Sequence, residues 1–289
     1  MITVIAPGPL ATIQDLGRPG LGHLGIGMSG AADRPAHARA NALVGNAPDA
    51  ATIEMTLGRL RVRFESATTI AFTGGLCVLK LDGVQIPAEV AVDVLAGQEL
   101  RVGAPSSGLR SYLAVAGGID VPSVLGSRST DTLSGLGPPR LASGEVLPVG
   151  PSRPAPRPPS PPSTRARPEG DRVPLTVWPG PRDDWFTPGA LETLCAATWT
   201  VTPDTNRVGA RLSGPTLDRT IARELPSEGM VTGALQVPPN GQPILFLADH
   251  PVTGGYPVIG VVTDADLSRA AQLRPGQTLR FRLEPALGR

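Results

Sequence analysis

With 289 residues and a formal net charge of +1, the chain has room for one large domain or two ordinary ones. That balance excludes binding to nucleic acid or an anionic membrane through bulk charge. The 35 Gly, 33 Pro and 3% aromatic residues favour short strands and turns over long helices.

Taken in order, Ile2 to Ala6 reads as an opening strand stopped by Pro7-Gly8-Pro9. Its flanks carry neither a basic n-region nor a long apolar run, so no signal peptide is expected. No stretch approaches the ~18 apolar residues of a spanning helix, and a soluble cytoplasmic protein is the expectation. Leu16 to Gly30 is too rich in glycine for a regular element. Asp33 is placed to cap a helix with Pro35 in its first turn, and Ala36, Ala40, Leu43 and Val44 follow helical spacing up to Gly45. On that helix His37 is expected to be exposed. From Thr52 to Val115 the pattern turns to short strands, around Ile53, Leu60–Phe64, Thr69–Phe72, Cys77–Leu81, Val84–Ile86, Leu100–Val102 and Tyr112–Val115. Asp82-Gly83 between two of them is a hairpin signal.

Residues 151–172 hold eight prolines, five arginines and two acidic residues, so they cannot build a core. They are expected to link an N-terminal β-rich lobe (1–150) to a C-terminal β-barrel lobe (173–289). Beyond the linker, Leu175–Trp178 resumes as a strand that stops at Pro179-Gly180-Pro181. Asp183 or Asp184 is expected to cap a helix running to about Cys195. Trp199–Thr202 and Leu279–Leu283 read as strands, and Asp264–Ala271 as a short helix.

The stretch that organises this half is Ser227 to Tyr256. Gly233–Val237 is expected to pair with Gln242–Asp249 across the turn Pro238-Pro239-Asn240-Gly241. Ile244-Leu245-Phe246-Leu247 is apolar at every position, as in a strand covered on both faces. Asp249 and Thr253-Gly254-Gly255-Tyr256 then place polar groups at the rim of a core. A faint echo joins the halves: Gly97-Gln98-Glu99-Leu100-Arg101-Val102 is similar to Gly276-Gln277-Thr278-Leu279-Arg280-Phe281, which suggests a duplicated architecture.

Most catalytic signatures are excluded. Lys80 is the only lysine and no GxxxxGK[ST] surrounds it, so a Walker loop is impossible. Lys80 also lacks the Met-Lys-Met setting of a biotin carrier. Gly20-Leu21-Gly22-His23-Leu24-Gly25 matches GxGxxG, but it follows Pro19 and no helix can continue it. Cys77 and Cys195 read as buried free thiols, and His23, His37 and His250 lack metal spacing. What remains is a set of polar residues embedded in glycine: Gln14–Arg18, Gly126–Asp131, Asn206–Arg211, Ser227–Gly229, Gln236 and Asp249–Tyr256. Arginine offers a planar fork for carboxylate or phosphate, and glycine lets backbone N–H groups approach an anion. The structural alternative is that these arginines brace loops through Asp15 and Asp131.

On those residues the chain resembles the family of the 5-oxoprolinase C subunit, also called biotin-dependent carboxyltransferase or allophanate hydrolase subunit 2. The likeness runs through Gln14-Asp15-Leu16-Gly17-Arg18, Ser29-Gly30, Asp33, Asn41 and Glu54. It continues with Arg110, Tyr112–Ile119 and Leu125–Asp131, then Pro179-Gly180-Pro181, Arg207, Arg211, Ser227-Glu228-Gly229, Gln236–Pro239, Asp249 and Thr253–Pro257. Asn206 stands where an acidic residue is usual, His250 where Arg is usual, and Val252 where Thr is usual.

The resemblance implies a mainly β protein of two β-barrel-like, cyclophilin-like lobes with a few short helices. It implies partners, the B and A subunits of 5-oxoprolinase, with which 5-oxo-L-proline is opened to L-glutamate at the expense of ATP held by or shared with a partner. The alternatives are the carboxyltransferase component of a biotin-dependent urea carboxylase, and a regulator that antagonises a kinase inhibitor. On this basis Asp249, Arg207 and Arg211 are the expected catalytic residues. Arg18, Arg128, Ser129, Gln236, Thr253 and Tyr256 are expected to bind substrate.

Overall fold

Alternation of apolar and polar residues sets the first sheets. In the computed structural model, which describes residues 1–152 and 172–284, the chain divides into two compact units. One comprises residues 1–19 and 29–165, the other residues 20–28 and 166–289. Most of the expected linker, residues 153–171, lies outside the described residues.

The first unit contains β1 (Ile2–Ala6), β2 (Leu10–Gln14), α1 (Arg34–Leu43), β3 (Thr52–Thr56), β4 (Arg61–Phe64), β5 (Thr68–Leu76), β6 (Leu79–Leu81), β7 (Val84–Ile86), β8 (Ala91–Val94), β9 (Glu99–Val102), β10 (Ser107–Val115) and β11 (Val146–Leu147). They form a six-stranded sheet, β11-β1-β4-β9-β6-β7, and a five-stranded sheet, β2-β3-β10-β5-β8. Ile2, Val4, Val62, Phe64 and Leu100 from the first meet Ile13, Ile53, Met55, Phe72 and Leu113 from the second in one apolar core. Asp82 and Gly83, both at positive φ, make the two-residue turn that pairs Leu81 with Val84.

The second unit contains β12 (Arg172–Pro179), α2 (Ala190–Ala196), β13 (Trp199–Thr205), β14 (Gly209–Ser213), β15 (Glu228–Gly229), β16 (Ala234–Gln236), β17 (Ile244–Phe246), β18 (Thr253–Gly254), β19 (Val258–Val262), α3 (Asp264–Ala270) and β20 (Thr278–Leu283). Seven strands close a barrel in the order β12-β19-β16-β17-β14-β13-β20, with the parallel pair β12 and β20 completing the ring. Leu175, Val201, Leu212, Leu235, Leu245, Leu279 and Phe281 fill it. The mainly β expectation is met. A barrel closes in the second unit, whereas the first is built from two facing sheets.

The expected hairpin forms as β16 and β17, with Leu235 opposite Leu245 and both pointing into the core. Ile244 and Phe246 lie on the other face, where Met230, Ala234 and Val258 make a second apolar layer. That layer explains why the strand is apolar throughout. The echo also has a structural basis. Gln98 and Gln277 each donate a backbone N–H to the residue three positions back, and their side-chain oxygens accept from Leu95 N and Arg274 N respectively.

Two expectations are corrected. Asp183–Trp185 forms only a 3-10 turn, and α2 starts at Ala190. Pro188 lacks an amide donor and pushes Thr187 out of helical geometry, so one helix cannot span the segment. His37 is fully buried rather than exposed: Nε2 contacts the Pro48 carbonyl at 3.1 Å and Nδ1 the Thr52 hydroxyl at 3.0 Å. Asp33 does cap α1, accepting from Ala36 N at 3.0 Å.

Burial holds the His37 imidazole below its ordinary value, against smaller upward pulls from the Pro48 carbonyl, Glu54 and Asp15. The unfolded chain therefore binds a proton that the folded protein resists. The resulting stability is present above the unfolded pKa of about 6.5 and is lost as pH falls through the lower folded value. We expect acidification below about pH 6.5 to lower the urea midpoint of the native protein more steeply than that of His37→Gln. Parallel acid responses in the two proteins would exclude His37 as the titrating group.

Candidate functional site

The five-stranded sheet has two unlike faces. Ala11, Ile13, Ile53, Met55, Leu113 and Val115 point into the apolar core, so strand alternation sends Thr12, Gln14, Thr52, Glu54, Arg110 and Tyr112 to the opposite face. All six of these polar residues are buried. Register aligns Thr12, Glu54, Tyr112 and Thr73 in one cross-strand row. Glu54 Oε2 accepts from the Tyr112 hydroxyl at 2.7 Å and from Ala32 N at 3.0 Å, and Asp33 N donates to the same hydroxyl at 2.7 Å. Arg110 Nε lies 3.7 Å from Glu54 Oε1. Burial, then the charges of Glu54 and Asp33, push the Tyr112 phenol well above its usual range, so it remains a neutral donor.

At the end of β2 the chain turns into a second polar knot. The Asp15 carboxylate accepts from Gly17 N at 2.8 Å, the Ser127 hydroxyl at 2.6 Å, the Ser129 hydroxyl at 2.5 Å and Arg128 N at 2.6 Å. Arg18, 2% exposed, donates Nη2 to the Ser129 carbonyl at 2.6 Å and Nε to the Val124 carbonyl at 3.3 Å. Gln14 Nε2 donates to the Thr130 carbonyl at 2.9 Å and the Thr12 hydroxyl at 3.0 Å. Arg128 contributes its backbone here; its side chain turns to the Val121 carbonyl and Asp120. The predicted residues Arg18 and Ser129 are thus brought together, and the Arg128 guanidinium is directed elsewhere. Asp15 is braced by hydroxyls and amides, not by an arginine side chain.

In the second unit Arg207 and Asp249 form a buried two-pronged ion pair, Nε–Oδ2 and Nη2–Oδ1 both at 2.8 Å. Asn206 Oδ1 accepts from Val208 N and Gly209 N, a loop-forming role open to aspartate as well. Register puts Arg211, Ile244, Gln236 and Val258 in one row on the barrel's outer face. Arg211 is exposed there, while Gln236 is buried and donates to the Tyr256 carbonyl at 2.9 Å. An added Cβ at Gly254 would lie 2.5 Å from Gln236 Nε2, so a larger residue there would make the Gln236 amide shift. Thr253 and Tyr256 are exposed, and the Arg219 guanidinium stands 5.8 Å from the Tyr256 ring centre. Among the described residues no group of three His, Cys, Asp or Glu side chains is arranged to hold a metal ion.

Glu54 and Tyr112 were not among the candidate site residues. The available signal was polar residues at every second position of strands whose other positions are apolar.

Two substitutions test these assignments. Tyr112→Phe takes the acceptor from the Asp33 amide and one donor from Glu54, and should cost about 1–3 kcal/mol at neutral pH. It should also remove a stability loss that the native protein shows above about pH 10, where the unfolded phenol ionises and the buried one does not. Denaturant titrations at neutral and alkaline pH measure both. Arg207→Ala strands the buried Asp249 and should cost about 3–5 kcal/mol, whereas Arg211→Ala should stay within about 0.5 kcal/mol. Equal costs would contradict the inside–outside assignment.

Comparison with known proteins places this architecture. Over 291 residues the chain is 40% identical to the C subunit of 5-oxoprolinase from Escherichia coli strain K12, covering 97% of this chain and 90% of that protein. It is 33% identical to urea amidolyase of Saccharomyces cerevisiae, covering 97% of this chain but 16% of that enzyme. The crystal structure of the K. lactis urea amidolyase superposes with a TM-score of 0.92 at 30% identity, over 98% of this chain and 19% of that one. This chain therefore corresponds to about a fifth of the length of the urea enzyme. Residues 24–283 match the family described as carboxyltransferase domain, subdomain A and B, and the chain belongs to that family.

Proposed function

We propose that the chain is one subunit of an ATP-dependent 5-oxoprolinase, which opens 5-oxo-L-proline to L-glutamate together with the B and A subunits of that enzyme. The observation that carries this reading is the 40% identity to a 5-oxoprolinase C subunit over nearly the whole of both chains. Opening an unstrained lactam requires charge to be stabilised on its amide oxygen, and preorganised hydrogen-bond donors are the direct means. The buried knot around Arg18 and Ser129 and the outer-face row of Gln236 and Arg211, with Tyr256 and Thr253 nearby, supply such donors. The Arg207–Asp249 pair holds its loop in place. In this reading Arg207 and Asp249 act by positioning, because each charged group is occupied by the other.

The described residues do not fit a nucleotide triphosphate of the Walker type. Lys80 is exposed on β6, paired between β7 and β9 and not at the start of a helix. ATP is accordingly assigned to a partner protein. The second reading, a carboxyltransferase component of a biotin-dependent urea carboxylase, is favoured by the close superposition on the K. lactis enzyme.

Reconstitution separates the two. The purified chain alone should neither hydrolyse ATP nor open 5-oxo-L-proline, and adding the B and A subunits should produce 5-oxo-L-proline-dependent phosphate release. A complete mixture that is inert toward 5-oxo-L-proline but carboxylates urea from carboxybiotin would establish the second reading instead.

A further inference from the structure

Two short strands of the second unit stand apart from its barrel. β15 and β18 pair only with each other, Glu228 opposite Gly254 and Gly229 opposite Thr253. Met230 N extends the ribbon by donating to the Val252 carbonyl at 2.9 Å. A ribbon of two residues per strand is too small to be stable by itself.

Among the described residues two hydrogen-bonded side-chain contacts tie this ribbon to the barrel. In the first, Arg182 places Nε 2.9 Å from Glu228 Oε1 and 3.1 Å from Oε2, while its own amide is anchored on the Val258 carbonyl of β19. The two side chains are 37% and 31% exposed, so the ion pair is a weak tie. In the second, Gln236 of β16 donates Nε2 to the Tyr256 carbonyl at 2.9 Å. Gly254 lies directly over this amide, in a place where a Cβ would meet Nε2.

A carboxamide carries a donor and an acceptor side by side. On Gln236 the donor half is taken by one backbone carbonyl. Oε1, the acceptor half, accepts from no described residue and is not sealed from solvent.

We infer that the ribbon is a gate, and that the Tyr256 carbonyl occupies the place of a substrate carbonyl on Gln236. A lactam holds its C=O and N–H on the same side, so it meets both halves of the Gln236 carboxamide at once. Its carbonyl accepts from Nε2 in place of Tyr256, and its N–H donates to Oε1. The ribbon lifts to allow this exchange, and the Arg182–Glu228 pair is the latch that resists it. The inference rests on the proposed function and specifies how the amide of 5-oxo-L-proline is recognised. Urea presents the same paired groups, so the second reading shares the gate.

Hydrogen–deuterium exchange tests this on the full chain in complex with the B and A subunits, without ATP. Peptides spanning residues 227–231 and 251–257 are followed alone, with 5-oxo-L-proline and with millimolar urea. 5-oxo-L-proline should speed exchange at the Met230 amide while β12 and β20 stay protected. Affinity is measured calorimetrically on the same complex. A gate that is mostly closed lowers apparent affinity by the fraction that is open. Glu228→Gln releases the latch and should therefore bind 5-oxo-L-proline about two- to fivefold more tightly, as far as one partly exposed ion pair shifts an equilibrium. Gln236→Leu removes both halves of the amide and should bind at least about tenfold more weakly.

The inference is overturned if no ligand speeds exchange at Met230, or if Glu228→Gln binds no more tightly than the native chain, as expected of a ribbon that only braces the barrel. Either result in a complex that turns over 5-oxo-L-proline removes the gate and leaves the function standing. A complex inert toward 5-oxo-L-proline, whose ribbon exchange rises with urea, keeps the gate and overturns the function.

Discussion

The bond between the Tyr112 hydroxyl and Glu54 governs much of the first unit. A carboxylate in the middle of a buried strand is tolerable only when its oxygens are occupied, and hydrogen bonds to charged groups contribute about 1.5–3 kcal/mol each. Glu54 draws in Tyr112 from β10 and the Ala32 amide from the segment before α1. The Tyr112 oxygen then receives the Asp33 amide, and Asp33 caps the helix. One acid on β3 thus decides where α1 begins and how it lies across the sheet. Ala36, Ala40 and Leu43 pack beside Ala71, Tyr112 and Ala114 as a consequence.

The same logic, applied at the end of β2, produces a different result. Asp15 receives four donors and is complete. Arg18 reaches the same loop and donates to the carbonyls of Val124 and Ser129. Arg18 Nη1, Gln14 Oε1 and Thr130 Oγ1 are left without a hydrogen-bond partner here, as are single buried atoms of Arg39, Thr202 and Arg219 elsewhere.

The second unit solves its polar burial with a direct ion pair. Arg207 precedes β14 and Asp249 follows β17, where Asp249 N also donates to the Arg207 carbonyl at 3.0 Å, so their two-pronged contact adds a side-chain tie to the backbone pairing of the two strands. The pair is costly to desolvate and its benefit is geometric. It is buried, while Arg211, Tyr256 and Thr253 are exposed. Such a division between an occupied brace and exposed groups is common to sites built on barrels.

Much of this was legible in the residues. The alternation of Leu235 and Val237, the apolar run of Ile244–Leu247, the Asp82-Gly83 turn and the Asp33 cap each follow from local chemistry, and each is found. So is the mainly β class, which the glycine and proline content favours. The likeness of two Gly-Gln turns was visible as well, because a side chain that caps its own turn acts over three residues. What stayed hidden depends on pairing across long separations. His37 looked exposed because helical spacing alone does not reveal that Thr52 and Pro48 lie against its face. The strand Leu10–Gln14 escaped notice because Thr12 and Gln14 look like solvent-facing residues until β3 and the loop at Thr130 cover them. Arg207 and Asp249 were both singled out, and only the closed barrel shows that they form a buried ion pair with each other. Local propensity acts within a few residues, so the sequence by itself determined where many of the strands, the Asp82-Gly83 turn and the first helix lie. Burial and charge pairing join residues far apart in the chain, so only the tertiary structure decided which polar groups are satisfied and that Arg18 is not.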